Sequence, residues 1–120
     1  METELELESR LDAVFLALSD RRRRLLLAEL AAGPRPVRVL AQTAGLQLSA
    51  CSKHLRALEA ADLVRKTRRG REVYCHLNFD VWQDVAQYIA MQAKFWAGRL
   101  DELDAHLREA GAGRIAKGGK

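Results

Sequence analysis

Ser49, Ser52, Lys53 and Arg56 recur at spacings that place them on one face of a helix, with Cys51, Leu55 and Leu58 on the opposite face. Short hydroxyls beside long cations suit close approach to a polyanion: serine lets the backbone come near, and lysine or arginine reaches phosphate oxygens or the acceptor edge of guanine. A second basic group follows at once. Arg65, Lys66, Arg68, Arg69 and Arg71 fall in one short run without an acid, whereas Glu2, Glu4, Glu6, Glu8 and Asp12 face only Arg10 near the start. The net charge of +4 is modest, so this local concentration says more about a partner than the total does.

The elements that must carry these residues are legible from periodicity. Leu7, Leu11, Val14, Phe15 and Leu18 recur at steps of three and four, predicting a helix from Leu5 to Leu18. Asp20 is placed to cap a second helix that runs through Arg21, Arg22, Arg23 and Arg24 to Leu30 and stops at Gly33-Pro34-Arg35-Pro36. Val37, Leu40, Ala41 and Ala44 make a short third helix closed by Gly45, where a left-handed residue is wanted. A fourth helix follows Leu48 and reaches Ala60, so the third and fourth form a helix-turn-helix. Residues 63–69 and 72–77, rich in β-branched and aromatic types and divided by Arg69-Gly70-Arg71, read as a β-hairpin. A long amphipathic helix spans about 80–110. The predicted fold is mainly α with a β-hairpin wing, in the order α-α-α-α-β-β-α, forming one domain over residues 1–110 with a disordered basic tail at 111–120.

Several classes of function find no support. There is no GxSxG, no glycine-rich phosphate loop and no His/Asp/Glu cluster at ligand spacing, and Ser52 and His54 point apart on a helix, so no enzyme is expected. Two cysteines, Cys51 and Cys75, build no disulfide framework and no CxxC pair, which fits a reducing cytoplasm. The acidic N-terminus resembles no secretory signal, and no apolar run reaches the ~18 residues of a membrane span.

Leu16-Ala-Leu-Ser-Asp20, Leu40-Ala-Gln-Thr-Ala-Gly45, Ser52-Lys-His-Leu-Arg-Ala-Leu-Glu59 and Ala61-Asp-Leu-Val-Arg65, followed by Gly70-Arg71 and Tyr74, give the chain a resemblance to the ArsR family of winged helix-turn-helix repressors over residues 10–105. The resemblance implies that helix 49–60 reads the major groove and that the wing, 65–71, meets the backbone or minor groove. The residues it assigns to DNA are Gln47, Leu48, Ser49, Ser52, Lys53, His54, Arg56, Arg68, Arg69 and Arg71. The implied partner is an inverted-repeat operator in double-stranded DNA, bound by a dimeric repressor of its own or a neighbouring operon.

The chain also departs from the pattern. Gln47 stands where the family usually has a Ser or Thr cap and Leu48 where a polar residue is common, which shifts the expected helix start toward Ser49, or lets Leu48 touch a thymine methyl. Arg21 and Arg22 replace a usual Pro-Thr and either add phosphate contacts or merely solvate the helix. The Cys-x-Cys sensor of many relatives is absent from Val39–Thr43, and Asp104-Ala-His106 imitates only half of another zinc site, so no metal and no cofactor are expected. Any small-molecule inducer is unspecified.

The stripe Trp82, Val85, Ile89, Trp96, Leu100 and Leu103 is longer than a monomer of this size can cover, predicting a homodimer in which Leu7 and Leu11 of the first helix take part. A ligand pocket among Tyr88, Met91, Phe95 and Trp96 is the alternative use of these side chains. Cys51 and Cys75 read first as small buried hydrophobes, and alternatively as a thiol pair that senses redox state or a soft metalloid. A reading of another class is a winged helix that binds an acidic partner protein.

Overall fold

The computed structural model describes residues 3–111, which divide into a unit ending at Gln83 and a second beginning at Asp84. In chain order the elements are α1 (Glu4–Leu18), α2 (Arg21–Leu30), β1 (Arg35–Pro36), α3 (Val37–Ala44), α4 (Leu48–Ala60), β2 (Val64–Arg69), β3 (Glu72–Leu77) and α5 (Phe79–Glu109). This is the winged helix-turn-helix order, with one strand more than the sequence indicated. None of the helices among the described residues is long and apolar enough to cross a membrane.

Local chemistry sets the boundaries. Asp20 accepts the Arg22 N–H at 2.7 Å and the Arg23 N–H at 3.2 Å, satisfying two of the orphan donors that open α2. Gly45, at φ 66°, turns the chain so that the Leu46 N–H reaches back to the Ala41 carbonyl at 2.9 Å and ends α3. The end of α4 is closed in the same way by a residue that carries a Cβ. Asp62 sits at φ 60° while the Leu63 N–H returns to the Leu58 carbonyl at 3.0 Å. Asn78, just before α5, and Trp82 in its first turn hold this corner: Asn78 Nδ2 donates to the Asp62 carbonyl at 3.0 Å, and the Trp82 indole donates to the Leu63 carbonyl at 3.1 Å.

In the first unit the core is built from Val14, Leu26, Leu30, Leu40, Leu55, Leu58, Leu63 and Val64, all almost completely buried. Each such side chain contributes about 1.5–3 kcal/mol through burial, and together they lock the helix-turn-helix onto α1, α2 and the sheet. The sheet is antiparallel, in the order β1-β3-β2, with Val64 opposite Leu77, Lys66 opposite Cys75 and Arg69 opposite Glu72. Gly70, at φ 62°, supplies the positive angle that the two-residue turn requires.

The structure corrects three expectations. The segment read as a simple helix stop contains β1, whose Arg35 and Pro36 lie opposite Cys75 and Tyr74; a two-residue strand is too short for any periodicity to signal it. Helix α4 begins at Leu48, not Ser49, with Gln47 as its N-cap. Of the side chains assigned to the dimer interface, Leu11 on α1 and Val85 on α5 are buried and Trp82 is half-buried within the single chain, so these three are not open to a partner as expected. The tail expected to be disordered lies, beyond Gly111, outside the described residues.

Candidate nucleic-acid interface

On α4 the two faces separate as their spacing requires. Cys51, Leu55 and Leu58 are fully buried; Ser49, Lys53 and Arg56 are exposed and Ser52 is half-exposed. Leu48 projects with 57% of its surface open, a large apolar side chain at the leading end of the helix. Gln47, the N-cap of α4, makes no side-chain capping bond. His54 is half-buried. At the start of α2 the Asp20 carboxyl is held below the usual carboxylate range, first of all because it accepts the Arg23 N–H and then the Arg22 N–H.

The basic run of the wing divides into distinct roles. Arg65, Arg68, Arg69 and Arg71 are exposed. Lys66 is not available in the same way: its Nζ lies 3.5 Å from Glu59 Oε1, so it ties the wing to the end of α4. The Arg69 guanidinium stacks 4.9 Å above the Tyr74 ring, which holds one cation in a fixed position on the hairpin. At the base of the wing, Arg38 from the first turn of α3 is bonded to Glu72. A groove of about 440 Å³ lies there, lined by Leu48, Ser52, Arg38, Lys66, Arg71 and Glu72 among others. The sequence offered no local sign that Arg38 and Glu72 belong to this surface.

The four arginines that open α2 are likewise sorted. Arg21 and Arg22 are exposed, Arg23 is half-buried, and Arg24 donates from Nη1 to the Leu18 carbonyl at 2.7 Å.

Neither thiol offers ready reactivity. Both are fully buried, and burial pushes Cys75 up to about 11 and raises Cys51 as well, so the nucleophilic thiolate is scarce at neutral pH. Among the described residues no three of His, Cys, Asp and Glu gather in a metal-binding group. Asp104 and His106 occupy different settings: Asp104 is buried and paired with Arg108 at 3.1 Å, while exposed His106 has Nδ1 3.1 Å from the Glu102 carbonyl.

In the second unit, Ile89, Phe95, Trp96, Leu100 and Leu103 are each about half exposed, Met91 is more exposed still, and Tyr88 is half-buried. Phe95 and Trp96 meet edge to face with ring centroids 5.3 Å apart. Leu7 on α1 is 38% exposed.

A helix-turn-helix beside a basic hairpin defines a winged helix-turn-helix protein. A family profile described as a helix-turn-helix domain matches residues 18–67. An ArsR family transcriptional regulator of known crystal structure is 31% identical, with 73% of this chain and 97% of that one covered and a TM-score of 0.66. The homodimeric winged helix-turn-helix DNA-binding domain of Mb0332 from Mycobacterium bovis is 30% identical, covering 80% of this chain and 86% of that one at a TM-score of 0.61. An ArsR-like regulator from Rhodococcus sp. RHA1 is 29% identical, covering 82% and 93% at a TM-score of 0.70. No curated protein matches the chain. The chain belongs to the ArsR family and is a DNA-binding transcriptional regulator.

Proposed function

We propose that this protein is a homodimeric, cytoplasmic repressor that binds an inverted-repeat operator of its own or a neighbouring operon. Helix α4 enters the major groove through Leu48, Ser49, Ser52, Lys53 and Arg56, with Gln47 and His54 at its margins. Arg68, Arg69 and Arg71 grip the adjacent backbone or minor groove. The observation that carries this reading is the division of α4: a fully buried Cys51, Leu55 and Leu58 face fixes the helix to the core, and the opposite polar and basic face stays open beside the basic wing. Dimerisation is supported by the exposed apolar side chains of α5, by Leu7 on α1, and by the homodimeric state of the Mycobacterium bovis relative. Two copies related by a two-fold axis would present two α4 helices to half-sites about one DNA turn apart.

The test is a gel shift at several salt concentrations with the upstream region of the protein's own gene and a scrambled duplex. Wild-type protein should retard the upstream region selectively, and a folded Ser52→Ala/Lys53→Ala/Arg56→Ala variant should lose that selectivity. Selective binding unchanged in the triple variant would mean that α4 is not the reader. Binding to an acidic protein but to neither duplex would support the protein-interaction reading instead.

A further inference from the structure

Glu72 is the one acid between Val64 and Leu77, in a hairpin that otherwise carries only basic and neutral side chains. It opens β3 directly after the tip residue Arg71, on the groove that Leu48 and Ser52 of α4 also line. A bare carboxylate there would face a DNA backbone carrying one negative charge per ~1.7 Å of helix axis. Arg38 answers it. Across 34 positions of chain, its Nε donates to Glu72 Oε1 at 2.9 Å and its Nη2 lies 2.8 Å from the same oxygen. The two side chains are 60% and 37% exposed, and an ion pair this open to water adds little to folding, so stability alone does not account for it.

We propose that Arg38 is a positioning residue for operator binding that acts through Glu72: it neutralises the wing's one carboxylate and keeps it turned from the phosphates. The inference rests on the DNA-contact reading of α4 and the wing. It differs from the simpler idea that Arg38 is itself a phosphate contact. An arginine that grips phosphate is missed whatever stands at position 72, whereas an arginine that masks Glu72 becomes dispensable once Glu72 is gone.

The experiment compares wild-type protein with Arg38→Ala, Arg38→Lys, Glu72→Ala and the double variant Arg38→Ala/Glu72→Ala. Each is titrated by fluorescence anisotropy on the upstream fragment at several salt concentrations, with circular dichroism melts alongside. Arg38→Ala should weaken binding about tenfold. Arg38→Lys, which keeps the charge, should stay within about threefold of wild type, and the double variant should recover to the same range. Melting curves should nearly superimpose, separating the effect from a loss of fold. A double variant weaker than Glu72→Ala by as much as Arg38→Ala is weaker than wild type would make Arg38 a direct phosphate contact and overturn the inference. Wild-type binding by Arg38→Ala would overturn it too. Either result, in a protein whose α4 triple variant has lost selectivity, leaves the α4 reading standing; failure of the wild-type protein to bind the fragment overturns both.

Discussion

Arg69 and Tyr74 offer a way to separate a cation that touches DNA from one that merely decorates the hairpin. Arg69 lies directly opposite Glu72, and its guanidinium leans across to the Tyr74 ring, two residues further along the partner strand, at 4.9 Å. The stack restrains a side chain that would otherwise lose rotamer freedom on meeting a phosphate. In the proposed dimer, Arg69→Ala removes a charge from each subunit. At ~0.9 in slope per phosphate contact, the dependence of log affinity on log salt should become shallower by about 1.8. Tyr74→Leu leaves the charge and removes only the restraint. An exposed cation–π contact is worth about 0.5–1 kcal/mol, so binding should weaken about two- to fivefold per contact with the salt slope unchanged. Anisotropy titrations of both variants over a series of salt concentrations measure both quantities. An Arg69→Ala protein with the wild-type slope would refute the reasoning, because Arg69 would then belong to the hairpin and not to the interface. A Tyr74→Leu slope as shallow as that of Arg69→Ala would refute it equally.

Trp96→Glu places a charge in the exposed apolar stripe of α5 and should weaken self-association by about tenfold or more, read by sedimentation over a concentration series; an unchanged oligomeric state would remove Trp96 from the interface. Asp62 occupies the left-handed region at φ 60°, where a side chain is strained, so Asp62→Gly should stabilise the fold by about 1 kcal/mol in thermal or urea unfolding. Cys75 is held protonated by burial, with a folded value of about 11 against an ordinary 9.0. That contribution is fully present below pH 9.0 and is lost as pH rises toward about 11, so stability should fall over this window and Cys75→Ala should flatten the alkaline limb. Zinc, cadmium and arsenite should leave operator affinity unaltered, since the thiols are buried and no three metal-binding side chains gather among the described residues; stoichiometric release of DNA by any of them would reopen the thiol-sensor reading.

Much of the fold was legible because its determinants are close neighbours in the chain. The α4 face of Ser49, Ser52, Lys53 and Arg56 opposite Cys51, Leu55 and Leu58 follows from 3.6-residue periodicity alone. Asp20 caps the helix that begins with the next residue, Gly45 ends the one that precedes it, and Gly70 makes the hairpin turn. Each of these signals acts within one turn of helix or one hairpin, where residue type and local backbone energy decide the outcome.

What only the tertiary structure decided lies further apart. The pairing of Arg35 and Pro36 with Cys75 and Tyr74 depends on where β3 arrives after the whole helix-turn-helix has folded. The Trp82 indole found the Leu63 carbonyl, which withdrew it from the exposed stripe that its spacing implied. Charges were sorted likewise: equal in the sequence, Lys66 is tied to Glu59, Arg69 is stacked on Tyr74, and Arg38 is bound to a glutamate 34 positions away. Sequence alone set which residues carry charge and which helix face presents them. Which cations stay free to meet a polyanion was decided by which carboxylates and rings the fold brought within a few ångströms, because a charge–charge or cation–π contact depends on distance in space and not along the chain.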